Sequence, residues 1–189
     1  LSILKQSNKK DIEFIVVDQN KDDRVENVLK PFKKELKIKH LRSETGLSRA
    51  RNMGLKAATS EIVAFPDDDC WYAEGTLPEV INYFEENKET TGLSGICYDF
   101  RLNRPYGRAG KKEGWINKNN VWMRGSSASL FVRLDFLCYD KIYFNESLGL
   151  GTFFHSGEET DFVLRIISQG GKIFYSPQIK IGHPYKKEN

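Results

Sequence analysis

Three consecutive aspartates, Asp67, Asp68 and Asp69, follow the apolar run "EIVAF" and precede two large aromatics, Trp71 and Tyr72. Adjacent like charges repel, so such a triplet sits either in full contact with water or beside a cation. Hard oxygen donors with no histidine nearby in the chain suit Mg²⁺ or Mn²⁺ rather than zinc. A divalent ion held there would relieve the repulsion and reach phosphate oxygens. The competing reading is a solvated acidic turn. In a parallel sheet, ligands gather outside the carboxyl ends of the strands, and the triplet lies at such an end.

Other residues point to the same rim. Asp18 closes the strand-like "IEFIVVD", where a carboxylate can accept hydrogen bonds from a base N–H or a ribose hydroxyl; Asp is also a common turn former. "TGLSRARNMG" opens a helix. At about 100° per residue, Leu47, Ala50, Gly54, Ala57 and Ala58 share one face, with Arg51 at its edge. Arg51 near a helix N-terminus suits a phosphate or the acidic triplet, or a structural ion pair. In "GEETDFVLRIISQGG", Phe162, Val163, Ile166 and Ile167 define a buried stripe. Glu159 projects onto its centre, Glu158 falls between the extremes, and Asp161 pairs with Arg165 at i, i+4. An acid on an apolar meridian is costly unless it faces a cleft. Burial raises its pKa while the helix N-terminus favours its charge, conditions that fit a general base. The plainer reading of Glu159 is a carboxylate serving only the helix dipole. His183 stands alone after the last strand. Trp71, Trp115 and Trp122 can stack on sugar rings or simply pack.

The elements that must position these residues alternate. Strands are expected at Ile12–Asp18, Leu36–Leu41, Glu61–Phe65 and Leu93–Phe100. Helices fall between them, from about Asp22 to Glu35 with a break at Pro31, from Leu47 to Ala58, and from Leu77 to Asn87. Strand–helix alternation implies an α/β fold with a mostly parallel sheet and helices on both faces. The second half is less regular. Arg101 to Arg124 carries seven basic residues against the single acid Glu113, which reads as a long basic loop for an anionic acceptor or a membrane surface. A strand at Ser127–Val132, a helix at Glu158–Gln169 and two strands at Lys172–Tyr175 and Ile179–Gly182 follow. Leu1–Gln6 reads as the tail of a helix, so a strand and most of a helix are expected upstream.

Composition sets the outer bounds. A chain of 189 residues, 39% hydrophobic and 29% charged, suits one globular domain. Its formal net charge of +3 is too small to argue for nucleic acid. There is no run of about 18 apolar residues and no signal-peptide layout. Cys70, Cys97 and Cys138 are odd in number and widely spaced, which suits neither a disulfide framework nor a zinc cluster. A cytosolic setting is expected, with the inner membrane face as a secondary location.

The segments "FIVVDQN", "GLSRARNMGLKAATSEIVAFPDDDCWY", "GSSASLFVR", "FNESLGLGTFFHSGEETDFVLRI" and "GGKIFYSPQIKIGH" resemble, in order and spacing, the GT-A fold nucleotide-sugar transferases of glycosyltransferase family 2. The resemblance implies a Rossmann-like domain with a nucleotide-sugar half at residues 1–100, lacking its opening strand, and an acceptor and catalytic half at residues 101–189. It also implies that Asp18 contacts the base and that Asp67–Asp69 form the "DXD" element. Asp67, Asp68 and Arg51 would then serve the donor, with Asp69 and His183 on Mg²⁺ or Mn²⁺. Glu159 would be the base, where the family usually has Asp, and Trp71, Glu158 and Trp122 would meet the acceptor. The implied partners are a nucleoside diphosphate sugar, a UDP-sugar foremost, and a saccharide or lipid-linked saccharide acceptor, with transfer by inversion in polysaccharide or surface-glycan assembly. A non-catalytic sugar-binding module and a sugar-phosphate nucleotidyltransferase are the alternatives; the latter wants a Gly-rich phosphate loop that is not seen here.

Overall fold

The structure, a computed structural model, describes residues 2–7, 9–107, 109–139 and 141–185. Its elements in chain order are β1 (Glu13–Asp18), α1 (Arg24–Leu29), β2 (Lys37–Arg42), α2 (Leu47–Ala57), β3 (Ile62–Ala64), β4 (Trp71–Tyr72) and α3 (Thr76–Glu86). Then come β5 (Gly92–Asp99), β6 (Arg104–Pro105), β7 (Gly114–Trp115), α4 (Val121–Arg124), β8 (Leu130–Arg133), α5 (Leu134–Tyr139), α6 (Glu158–Ser168) and β9 (Ile173–Gly182). The α/β class expected from the sequence is what forms. No helix among the described residues is long and apolar enough to cross a membrane.

The main sheet runs β3-β8-β5-β9-β4. β3, β5 and β9 point one way, and β8 is inserted against them. β5 is buried along its whole length, as a strand covered on both faces must be. Alternation on its neighbours divides the core in two. Leu130 and Val132 join Leu55, Leu137, Phe162 and Ile166 on one side, whereas Phe131 joins Val80 and Phe84 on the other. Helices therefore cover both faces. β1 and β2 pair in parallel as a separate ribbon. α2 lies against it, with Gly54 over Val17 and Ile15.

Three boundaries differ from the sequence reading. The last two strands are one, β9, with a bulge: Ser94 pairs with Tyr175, yet Ile96 pairs with Lys180. Pro177 occupies the bulge, where a missing N–H is tolerated, and its interruption is what made one strand read as two. Gly95 makes room for the bulge, since a Cβ there would sit 2.3 Å from the Ile179 carbonyl oxygen. Ser127–Ser129 form a 3-10 turn, so the strand begins only at Leu130. The first helix is also short; α1 ends at Leu29, and Pro31 lies in the 3-10 turn that follows. The basic stretch 101–124, of which Arg108 lies outside the described residues, contains β6, β7 and α4 rather than loop alone.

Candidate active site

β3 is short because Pro66 and the triplet end it. The Cys70 N–H then donates to the Asp67 carbonyl at 3.0 Å, closing a turn that feeds β4. β4 pairs antiparallel with the end of β9, Trp71 opposite Gly182 and Tyr72 opposite Ile181. This pairing carries the triplet to His183, although 114 positions separate Asp69 from His183. The Trp71 indole packs directly on Gly182, where a Cβ would come within 2.1 Å of the ring. Only glycine fits at that position.

His183 is held from three sides. Its N–H donates to the Tyr98 carbonyl at 3.0 Å. Its ring lies against Tyr106, with centroids 4.0 Å apart. Its Nδ1 is 3.0 Å from the Pro184 carbonyl oxygen. A carbonyl only accepts, so Nδ1 is the donor and Nε2 is the nitrogen presented to the aspartates, 3.4 Å from Asp69. Asp67, Asp69, Cys70 and His183 each offer one donor atom, all within 4.8 Å of one another. Two carboxylate oxygens and an imidazole fit a divalent cation.

Two glutamates, Glu158 and Glu159, open α6. Glu158 is buried, and its Oε1 is 3.3 Å from the Arg51 guanidinium, which also donates to Asp67 at 3.0 Å. The Arg51 guanidinium carbon lies 5.3 Å from the centre of the Phe144 ring, and that ring stacks on Phe162 at 4.0 Å. The other oxygen, Oε2, has no hydrogen-bond partner among the described residues. Gly149, at φ 94°, backs onto this carboxylate; a Cβ there would lie 3.1 Å from its carbon. Burial raises the pKa of Glu159 and the charge of the neighbouring Glu158 raises it further, while a backbone hydrogen bond at the helix start and the charge of Arg51 oppose them.

Asp67, His183 and Glu159 border one cavity of about 390 Å³, together with Tyr106, Cys97 and Trp122. The remaining residues singled out from the sequence lie elsewhere. Asp68 is exposed and outside the cavity. Glu158 faces Arg51 and does not border the cavity. Trp71 packs on Gly182, whereas Trp122 is 69% exposed at the cavity wall. Asp18 is buried at the end of β1 with its carboxylate fully engaged. Oδ1 accepts from the Asn20 N–H and side-chain amide at 2.8 Å each, and Oδ2 meets His40 at 3.1 Å and Arg42 at 2.8 Å. Burial pushes the Asp18 pKa up, but these partners more than offset it, leaving it below the ordinary aspartate value.

Sequence reasoning missed Tyr106, Cys70 and Asp99. Asp99 is fully buried at the end of β5 and accepts from the Tyr185 N–H at 2.8 Å, which ties down the chain just after His183. That hydrogen bond above all, with those from Leu102 and Arg101, lowers its pKa to about 2. Tyr185 also packs under the Arg104 guanidinium at 3.9 Å. Cys70 had a visible signal, its place directly after the triplet, and so had Asp99, which ends an apolar strand as Asp18 does; Tyr106 had none.

The fold is similar to that of S. aureus TarS. A structure of its residues 1–349 with UDP-GlcNAc superposes with a TM-score of 0.78 at 21% identity, over 100% of this chain and 54% of that one. The minor teichoic acid biosynthesis protein GgaB of Bacillus subtilis is 31% identical over 96 residues, 49% of this chain and 11% of its own length. The pre-mycofactocin glycosyltransferase of Mycobacterium tuberculosis is 24% identical over 163 residues, 82% of this chain and 33% of its own. The chain thus spans a third or less of these two curated relatives. The model of the family described as "Glycosyl transferase family 2" matches residues 1–146. With its motifs in order along a GT-A fold, the chain belongs to glycosyl transferase family 2.

Proposed function

We propose that this chain transfers a sugar from a UDP-sugar to an acceptor hydroxyl with inversion at the anomeric carbon, in polysaccharide or surface-glycan assembly. The observation that carries the reading is one cavity bordered by Asp67, His183 and Glu159 together. UDP-GlcNAc and UDP occupy solved TarS structures, and GgaB is named for teichoic acid; both favour this donor and acceptor class.

In the proposed reaction Glu159 takes the proton of the acceptor hydroxyl. The resulting oxygen attacks the anomeric carbon from the face opposite the diphosphate. One C–O bond forms as the other breaks, and the nucleoside diphosphate leaves. Its raised pKa makes Glu159 a better proton acceptor than an exposed carboxylate. Asp69 and His183, with Asp67, would hold Mg²⁺ or Mn²⁺, which when bound offsets the negative charge on the diphosphate. Arg51 keeps Asp67 oriented, and Trp122 offers the acceptor an exposed indole face. Asp18 would reach the base by exchanging one of its present bonds, and Asp68 would meet the donor from outside the cavity.

The test is product analysis by proton NMR with UDP-sugars and Mn²⁺. An anomeric coupling inverted relative to the donor supports the proposal. Retained configuration, or donor binding without transfer to any saccharide acceptor, contradicts it, and the second outcome would mark a binding module.

A further inference from the structure

The cluster beside the cavity contains one donor that sugar transfer does not require, the thiol of Cys70. Its position is set by the backbone. Trp71 pairs with Gly182 and Tyr72 with Ile181, so the same antiparallel register, continued by one residue, sets Cys70 opposite His183. Residues directly opposite on adjacent strands project from the same face with their Cβ atoms about 5 Å apart. The Cys70 N–H to Asp67 bond closes the turn on the other side and brings Asp67 and Asp69 to that face. The donor atoms of Asp67, Asp69, Cys70 and His183 consequently lie within 4.8 Å of one another. In a four-coordinate zinc site, metal–ligand bonds of about 2.0–2.3 Å put neighbouring donors about 3.6 Å apart. The separations here close to that value by about 1 Å of side-chain movement at most, within reach of two aspartate rotamers.

The chemistry of the set also separates metals. Mg²⁺ wants six oxygens in near-octahedral array and keeps its waters, so the sulfur contributes nothing to it. Zn²⁺ binds thiolate and imidazole strongly and accepts four protein ligands. We propose that Cys70 makes this site a zinc site as well as a Mg²⁺/Mn²⁺ site, so that Zn²⁺ competes with the activating ion and closes the position at which a diphosphate would bind. On binding, the thiol S–H bond breaks, a Zn–S bond forms and the proton passes to buffer; no oxidant is involved. This inference rests on the metal site of the proposed transferase and adds the residue that selects against productive metal.

The experiment uses the full chain and two readouts. The first is Co²⁺ titration followed by absorption, in which a thiolate ligand gives a near-ultraviolet charge-transfer band. The expected result is that band with Cys70 present and its loss in Cys70→Ser and Cys70→Ala. The second is displacement of bound Mn²⁺ by Zn²⁺, followed by electron paramagnetic resonance. Both variants should need about tenfold or more additional Zn²⁺, the scale on which a lost metal-site partner acts. The bound-Mn²⁺ signal in the variants shows that the oxygen and imidazole donors are still assembled. Mn²⁺ binding with no thiolate band, or with equal Zn²⁺ displacement in all three proteins, overturns the role of Cys70 and leaves the transferase reading intact. Failure of every ion to bind the unmodified chain, with or without UDP, overturns both.

Discussion

Arg51 and Glu158, 107 positions apart in sequence, meet at 3.3 Å with both side chains almost wholly out of solvent. The other arm of Arg51 holds Asp67. One guanidinium therefore ties the start of α6, where Glu159 sits, to the turn after β3. Breaking a buried ion pair by removing one partner typically costs about 3–5 kcal/mol, whereas the Asp67 arm is more exposed and worth less. Arg51→Ala is expected to lower the melting temperature by about 6–20 °C, on a scale of about 2–4 °C per kcal/mol for a chain of this size. Arg51→Lys, which cannot span both acids with a planar fork, should fall between. Thermal melting by circular dichroism measures both.

The pH dependence of turnover should report the Glu158–Glu159 pair. Only deprotonated Glu159 accepts a proton, and its pKa lies above the ordinary 4.5, through burial first and the charge of Glu158 second. Activity should therefore fall with decreasing pH at a value higher than for an exposed glutamate. Glu158→Gln removes the neighbouring charge and leaves the burial, so the acid limb of kcat/KM should move to lower pH. An acid limb that stays put would show that Glu158 does not act on Glu159.

Asp99 gives a stability prediction of opposite sign. Its folded pKa of about 2 is depressed from 3.8, so the stability it contributes is complete above about pH 4 and is lost as pH falls through about 2. Melting temperature measured from pH 2 to 5 should show a drop over that window in the unmodified chain. In Asp99→Asn, which starts lower, the same drop should be smaller. Bound-Mn²⁺ resonance should also weaken in this variant, because the Tyr185 tether behind His183 is lost.

Gly182 and Trp71 should behave as a coupled pair. A Cβ at Gly182 would lie 2.1 Å from the indole, and overpacking of this kind costs about 1–3 kcal/mol. Gly182→Ala is expected to destabilise the chain. Adding Trp71→Ala should then destabilise by less than the sum of the two single changes, as a denaturant double-mutant cycle would measure.

The sequence exposed the parts of this fold that follow from periodicity. β1, β3 and β5 are apolar runs ended by Asp or Pro, and of the stripe Phe162, Val163, Ile166 and Ile167 the first three are fully buried as the spacing requires, with Ile167 half-buried at its edge. Arg165 pairs with Asp161 at 2.8 Å, as the i, i+4 spacing implied. What was not legible depends on pairing between distant segments. The bulge at Pro177 hid the continuity of β9, since a proline reads locally as a stop. Glu158 and Glu159 exchanged emphasis: projection on an ideal helix put Glu159 at the centre of the apolar stripe, yet Glu158 is the more buried, drawn in by Arg51. Cys70 looked like an isolated cysteine because its neighbour His183 is reached only through the β4–β9 pairing. Asp18 read as an open rim carboxylate, and the residues that occupy it, His40 and Arg42, sit on β2.

In the proposed reaction Glu159 supplies the base in the cavity that it borders together with Asp67 and His183. The most direct test of that role is Glu159→Gln, with donor affinity measured by calorimetry of a UDP-sugar in Mn²⁺ and turnover measured by release of UDP in the presence of acceptor. The expected result is a donor Kd within about threefold of the unmodified chain and a kcat reduced by at least about 100-fold, the lower end of what general base catalysis supplies. A variant that binds donor normally and turns over at the unmodified rate would contradict it.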